Sequence, residues 1–174
     1  MTTKTAERSS ADKLLFTPGP LTVSPSVKQA MLRDLGSRDP EFIGIVADIR
    51  QRLLALAGVA DAGYEAILMQ GSGTFGIEAV LSSCIPAGGR LLVIVNGAYG
   101  RRMALIARAH GIACSTLDFD ENAWPDFAAV EQAVQADGAF THIAIVHSET
   151  TSGLLNPLAE AGELARRNGL VFIV

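Results

Sequence analysis

Lysine is scarce in this 174-residue sequence: Lys4, Lys13 and Lys28 are the whole supply. Covalent catalysis through a side-chain amine needs a lysine. Everything beyond residue 28 is therefore without that chemistry. Cysteine is scarce too, with Cys84 and Cys114 alone, and their spacing is not that of a metal site. Both sit among apolar neighbours and are expected to be reduced core residues of a cytoplasmic protein. No apolar run approaches the ~20 residues that a bilayer-spanning helix requires, so no membrane partner is expected. The start, Met1 to Lys13, has no hydrophobic stretch and reads as a disordered leader, not a signal peptide. Charged residues make up 18% of the chain and the net charge is −4, which leaves no basic footprint for nucleic acid. Repeats and low-complexity tracts are absent. What remains, at 49% hydrophobic residues, is the composition of a globular domain.

Residues 14–62 read as a loop followed by helices. Thr17-Pro18-Gly19-Pro20 is rigid loop chemistry, and Ser24-Pro25 supplies an N-cap and a first helical position. Phe42, Ile45, Val46, Ile49, Leu53 and Leu56 keep helical spacing and predict a long amphipathic helix. From residue 63 the texture changes to short apolar strands alternating with helices. The strands are expected at Ala66–Gln70, Arg90–Val95, Cys114–Phe119, His142–Val146 and Leu170–Val174. Helices fit between them near 74–84, 100–110, 126–136 and 157–168. In the first of these, Ile77, Val80, Leu81 and Cys84 share a face. Asn156-Pro157 reads as the cap of the last helix, and Asn168-Gly169 closes it. Such alternation predicts an α/β domain over 63–174, a mainly parallel sheet with helices on both faces. Ligands of open α/β sheets bind beyond the carboxyl ends of the strands, so motifs should follow strands.

Three segments do. Gln70-Gly71-Ser72-Gly73-Thr74-Phe75-Gly76 opens a helix, where small residues and free N–H groups suit a phosphate. It also spells the G-x-G-x-x-G of dinucleotide sites. That reading needs an acid at the end of the next strand, and Asn96-Gly97 stands there instead. A glycine-rich turn without a ligand is the third reading. In Asn96-Gly97-Ala98-Tyr99-Gly100 the tyrosine is placed either to lie flat on a planar ring or to cover the core edge. His147-Ser148-Glu149-Thr150-Thr151-Ser152-Gly153 concentrates hydroxyls after an apolar strand, where one could bond a ligand oxygen. There His147 is either a base or a structural hydrogen-bonder, and Glu149 reads as holding the loop. Arg38 lies in a loop and either faces an anionic substrate or stays at the surface. His110 and His142 read as structural, and the pairs Arg101-Arg102 and Arg166-Arg167 as solvated helix faces. No nucleophile elbow and no metal-ligand spacing is present.

Five stretches carry a resemblance: LLFTPGPLTVS (14–24), GSRDPEF (36–42), LMQGSGTFGIEAVL (68–81), VNGAYGRRM (95–103) and HIAIVHSETTSGLLNP (142–157). In this order they resemble the class V aminotransferases of pyridoxal-phosphate fold type I, from Leu15 to Val174 and over about the first half of that family's length. The resemblance implies an incomplete aminotransferase large domain. It implies pyridoxal 5'-phosphate as cofactor, with Ser72, Gly73 and Thr74 on its phosphate, Tyr99 on its ring and Thr150 near its phenolic oxygen. It also implies that Pro18 and Gly19 belong to a loop closing over the substrate. The family's ring-nitrogen aspartate and Schiff-base lysine fall after Val174 in its pattern, so this chain alone is expected to be inactive. The family's sheet order would leave four neighbouring strands and Ala66–Gln70 as an orphan. Within the family, the resemblance implies the branch that moves an amino group from 2-aminoethylphosphonate to pyruvate, giving phosphonoacetaldehyde and L-alanine in phosphonate catabolism, as a homodimer when full length. The alternatives are a class V enzyme acting on serine or alanine with glyoxylate or pyruvate, and a non-catalytic interaction fragment.

Overall fold

The computed structural model describes residues 13–17, 19 and 21–174. The chain divides into two compact units with the break between Met69 and Gln70. In the first unit, Ser24 accepts the Val27 N–H and starts α1, Pro25–Ala30, with proline in its first turn. Asp39 accepts the Glu41 N–H and starts α2, Pro40–Leu56. Arg33 and Glu41 form a two-pronged ion pair at 2.8 and 2.9 Å, which holds the Glu41 carboxyl below its ordinary range. The helical spacing expected for α2 is present, but its apolar stripe is not covered within the unit: Ile45, Ile49, Leu53 and Leu56 are all exposed. Ala66–Gln70, expected as a strand, is irregular. It finds no partner strand among the described residues, and an unpaired strand leaves its N–H and C=O groups without a ladder.

The second unit is the α/β layer structure. Its elements run α3 (Gly73–Cys84), β1 (Arg90–Val95), α4 (Ala98–Ala109), β2 (Ala113–Asp118), α5 (Phe127–Asp137), β3 (His142–Ile145), β4 (Ser148–Glu149), β5 (Leu154–Leu155), α6 (Leu158–Arg167) and β6 (Val171–Ile173). Four strands form a parallel sheet in the order β2-β1-β3-β6. β4 and β5 make a separate antiparallel hairpin. Alternation along β1 sends Leu91, Val93 and Val95 to one face, where they pack with Leu81, Met103, Ala104 and Ala107 of α3 and α4. Leu92 and Ile94 point the other way with Ile143 and Ile145, and meet Val130 and Val134 of α5 and Ala161, Leu164 and Ala165 of α6. Central strands buried on both faces read as continuous apolar runs, which is why β1 and β3 are apolar after their first residues, Arg90 and His142.

Several local expectations change. Only Leu81 of the α3 face is fully buried, while Val80 and Cys84 are exposed. Cys114 is half-buried and its burial pushes the thiol pKa up, so it alone resembles the core cysteine expected. α6 starts one residue late, with Pro157 at its N-cap, because the Asn156 side chain is taken up elsewhere. No helix among the described residues is long and apolar enough to cross a membrane.

Candidate active site

A parallel sheet puts every strand's carboxyl end at one edge, and the helices that follow point their amino ends there. β1 leaves that edge at Val95 and enters α4 through Asn96 and Gly97. β3 leaves it at Ile145 and enters the β4–β5 hairpin, whose tip carries Glu149, Thr150 and Thr151. Glu149 is the hub. Its side chain has no exposed surface, and its carboxylate accepts the N–H of Tyr99 (3.1 Å) and of Gly100 (2.8 Å) at the start of α4. No side chain would fit at Gly97, because a Cβ there would overlap the Glu149 carboxyl. Asn96 and Asn156 exchange amide hydrogen bonds at 2.8 and 3.0 Å, and Asn156 also donates to the Val146 carbonyl (2.8 Å). The two exit loops are thus fastened to each other at two points. This fastening sets Tyr99 and Thr150 on neighbouring segments, both half-buried.

The start of α3 joins this edge through α4. Ser72 caps α3 by accepting the Phe75 N–H with its hydroxyl at 3.3 Å, and its carbonyl accepts the Gly76 N–H. The N–H groups of Gly73 and Thr74, in the first turn, have no helical partner by construction. The space above Gly73 is open, with no atom within 4 Å of a Cβ built on it. Two helix amino ends therefore meet one edge in opposite states. That of α4 is filled by an internal carboxylate, and that of α3 is open and lined by hydroxyls. The Arg102 guanidinium lies between Thr74 and Tyr99, donating to Thr74 Oγ1 at 3.4 Å and stacked 4.9 Å over the Tyr99 ring.

Of the expected site residues, Ser72, Gly73, Thr74, Tyr99 and Thr150 all belong to the α/β unit. Thr74 and Tyr99 are brought together through Arg102, and Tyr99 is joined to the Thr150 segment through Glu149. Gly19 and Arg38 lie in the amino-terminal unit and are exposed, and Pro18 falls outside the described residues. His147 is exposed, and its carbonyl accepts the Asn156 N–H. His142 is buried between Thr141 and the Cys84 carbonyl, and His110 pairs with Glu78 at 2.8 Å. Sequence reasoning missed the Asn96–Asn156 pair and the contacts of Arg102, which is exposed as a solvated helix face should be but also rests on Thr74 and Tyr99. Its only signal was the position of Arg102 three residues after Tyr99, one helical turn away. Among the described residues no His, Cys, Asp and Glu group could hold a metal. A groove of about 550 Å³ opens near Ser82, Pro86, Gly89, His110 and Ala113, at the sheet's opposite edge, away from these polar groups.

The residues present fit a planar ligand with an anionic tail: an open helix start with hydroxyls for the anion, an aromatic face and a hydroxyl-bearing hairpin. Comparison with known proteins places the chain in a family. The family described as aminotransferase class-V matches residues 25–174. A 2-aminoethylphosphonate–pyruvate transaminase of Syntrophobacter fumaroxidans is 52% identical over 161 residues, covering 92% of this chain and 43% of that protein. One of Klebsiella pneumoniae is 52% identical over 166 residues, covering 95% and 45%. This chain thus spans under half the length of these relatives. Among solved structures, a ureidoglycine–glyoxylate aminotransferase of Bacillus subtilis superposes with TM-score 0.81 at 29% identity, covering 90% of this chain and 40% of that one. An alanine–glyoxylate aminotransferase of Nostoc sp. gives 0.82 at 27% identity, covering 99% and 45%. By sequence and by fold, the chain belongs to the class V aminotransferases.

Proposed function

We propose that this chain is the cofactor-cradling part of a pyridoxal-phosphate transaminase that moves the amino group of 2-aminoethylphosphonate to pyruvate, giving phosphonoacetaldehyde and L-alanine. The observation that carries the reading is the open, hydroxyl-lined start of α3 on the same edge as Tyr99 and Thr150. Identity near 50% to two transaminases of that name supports the substrate pair. In this reading Ser72, Gly73 and Thr74 bind the cofactor's phosphate through first-turn N–H groups and hydroxyls, with the positive end of the helix dipole behind them. Tyr99 covers one face of the ring, and its placement is fixed by Glu149. Thr150 offers a hydroxyl to a ring oxygen. The cofactor, when bound, supplies the electron sink for amino-group transfer. Gly19, Pro18 and Arg38 are assigned to the substrate side. The exposed apolar residues of α2 suit burial against more protein, as in a homodimer, and the composition suits the cytoplasm.

The α/β unit contains no lysine, and an amine is needed to hold a pyridoxal group covalently. The 174-residue chain is therefore expected to form no alanine from 2-aminoethylphosphonate and pyruvate, whereas a full-length protein is expected to do so. Coupling alanine formation to a dehydrogenase assay checks both. Alanine from the short chain would overturn the assignment of its residues to cradling alone. A full-length protein that prefers glyoxylate as acceptor would move the reading to the glyoxylate-using aminotransferases that the fold also matches.

A further inference from the structure

We propose that Arg102 is a further binding residue for the cofactor's phosphate, supplying the positive charge that the Ser72–Gly73–Thr74 cradle lacks; this rests on the pyridoxal-phosphate reading above. The cradle offers N–H groups, hydroxyls and a helix end, all formally neutral, to a group that carries close to two negative charges at neutral pH. Arg90, Arg101, Arg166 and Arg167 of the same unit are each paired with a carboxylate. Among the described residues of this unit Arg108 and Arg102 have no such pair, and it is Arg102 that borders the cradle. Its guanidinium is instead held beside the open helix start, on Thr74 Oγ1 at 3.4 Å and over the Tyr99 ring at 4.9 Å. Thr74 and Tyr99 are the residues assigned to the two ends of the cofactor, its phosphate and its ring, and one arginine touches both.

The hydrogen-bond directions agree with this role. Arg102 donates to the Thr74 oxygen, so the Thr74 hydroxyl proton is left to point at an acceptor, as an anion in the cradle would be. A guanidinium has five N–H donors in a planar fork, and the bond to Thr74 uses one. The others can take a phosphate oxygen without the side chain leaving Tyr99. Since Arg102 is exposed, its charge is not stranded in the interior when the cradle is empty.

The test separates charge from packing by using two ligands that differ in the phosphate alone. Dissociation constants of pyridoxal phosphate and of pyridoxal are measured by absorbance titration of the full-length apo-protein, for wild type, Arg102→Met and Arg102→Lys. Hydrogen bonds to charged groups correspond to an expected loss on the order of ten- to hundredfold for pyridoxal phosphate in Arg102→Met. Pyridoxal affinity should stay within about threefold, because methionine keeps an apolar stem on Tyr99. Arg102→Lys should recover part of the loss, as a point charge without the fork. Equal weakening of both ligands would assign Arg102 to the Tyr99 stack and overturn the proposal, as would an unchanged pyridoxal-phosphate constant. Wild-type protein that takes up no pyridoxal phosphate would overturn the cofactor reading itself. If Arg102→Met failed to fold by circular dichroism, Arg102→Gln carries the same comparison.

Discussion

Glu149 is buried without a cation, its carboxylate resting on main-chain N–H groups at the start of α4. Such a group is satisfied by the helix dipole and two charge-assisted hydrogen bonds, and it needs room. Gly97 gives that room. Gly97→Ala is therefore expected to destabilise the protein by about 1–3 kcal/mol, the usual penalty for overpacking. The φ of Gly97 is 179°, extended backbone that alanine adopts freely, so the effect would come from the carboxyl and not from backbone strain. A double-mutant cycle checks this: in a Glu149→Ala background the alanine at 97 should cost far less. Equal costs in both backgrounds would place the conflict elsewhere. At this scale the sequence was only half legible. Glu149 read as a residue that holds its loop, but its partners lie 49 and 50 positions away and nothing local announces them. The Asn96–Asn156 pair, 60 positions apart, stayed hidden for the same reason.

Elements were more legible, because helical and strand periodicities and caps are local. Ser24, Asp39, Ser72 and Asp126 all cap helices through their side chains, and Gly138 closes α5 in the left-handed conformation. Where an element depends on a distant partner, the local signal misled. Ala66–Gln70 has strand composition but, among the described residues, no strand to pair with, and Asn156 has the chemistry of a cap but is drawn to Asn96. The start of α3 allows an element-scale test. A Cβ at Gly73 meets no atom from beyond its own turn, and an acid in a first turn suits the dipole, so α3 should survive Gly73→Glu. The carboxylate would fill the anion's space and repel it. The full-length protein should then lose pyridoxal-phosphate absorbance while keeping its circular dichroism spectrum. Retained cofactor would reduce this loop to a turn.

Across the whole molecule, burial is divided unevenly. The sheet and its two helix layers hold the buried hydrophobic residues, while α1 and α2 contain none. Ile143→Ala, at a fully buried position of β3, should cost about 2–5 kcal/mol, and Ile49→Ala on α2 should cost more than the roughly 0.5 kcal/mol of an uncovered surface site if more protein covers that helix as proposed. Urea midpoints of the full-length protein measure both, and a negligible loss at Ile49 would mean that nothing covers α2. The fold class was legible from alternation alone, since β1 and β3 are apolar on both faces. The exposure of α2 was not, because an apolar stripe records what can be buried and not what covers it. The carboxyl ends of the parallel strands share one edge of the sheet. Both α3 and α4 aim their amino ends at it, and Glu149 has already taken the seat at α4. In the reading proposed above, a molecule with a single anionic end finds its berth beside Tyr99 at α3 and not at α4. The head-to-tail direction of the ligand in that reading thus depends on a glutamate that never touches it.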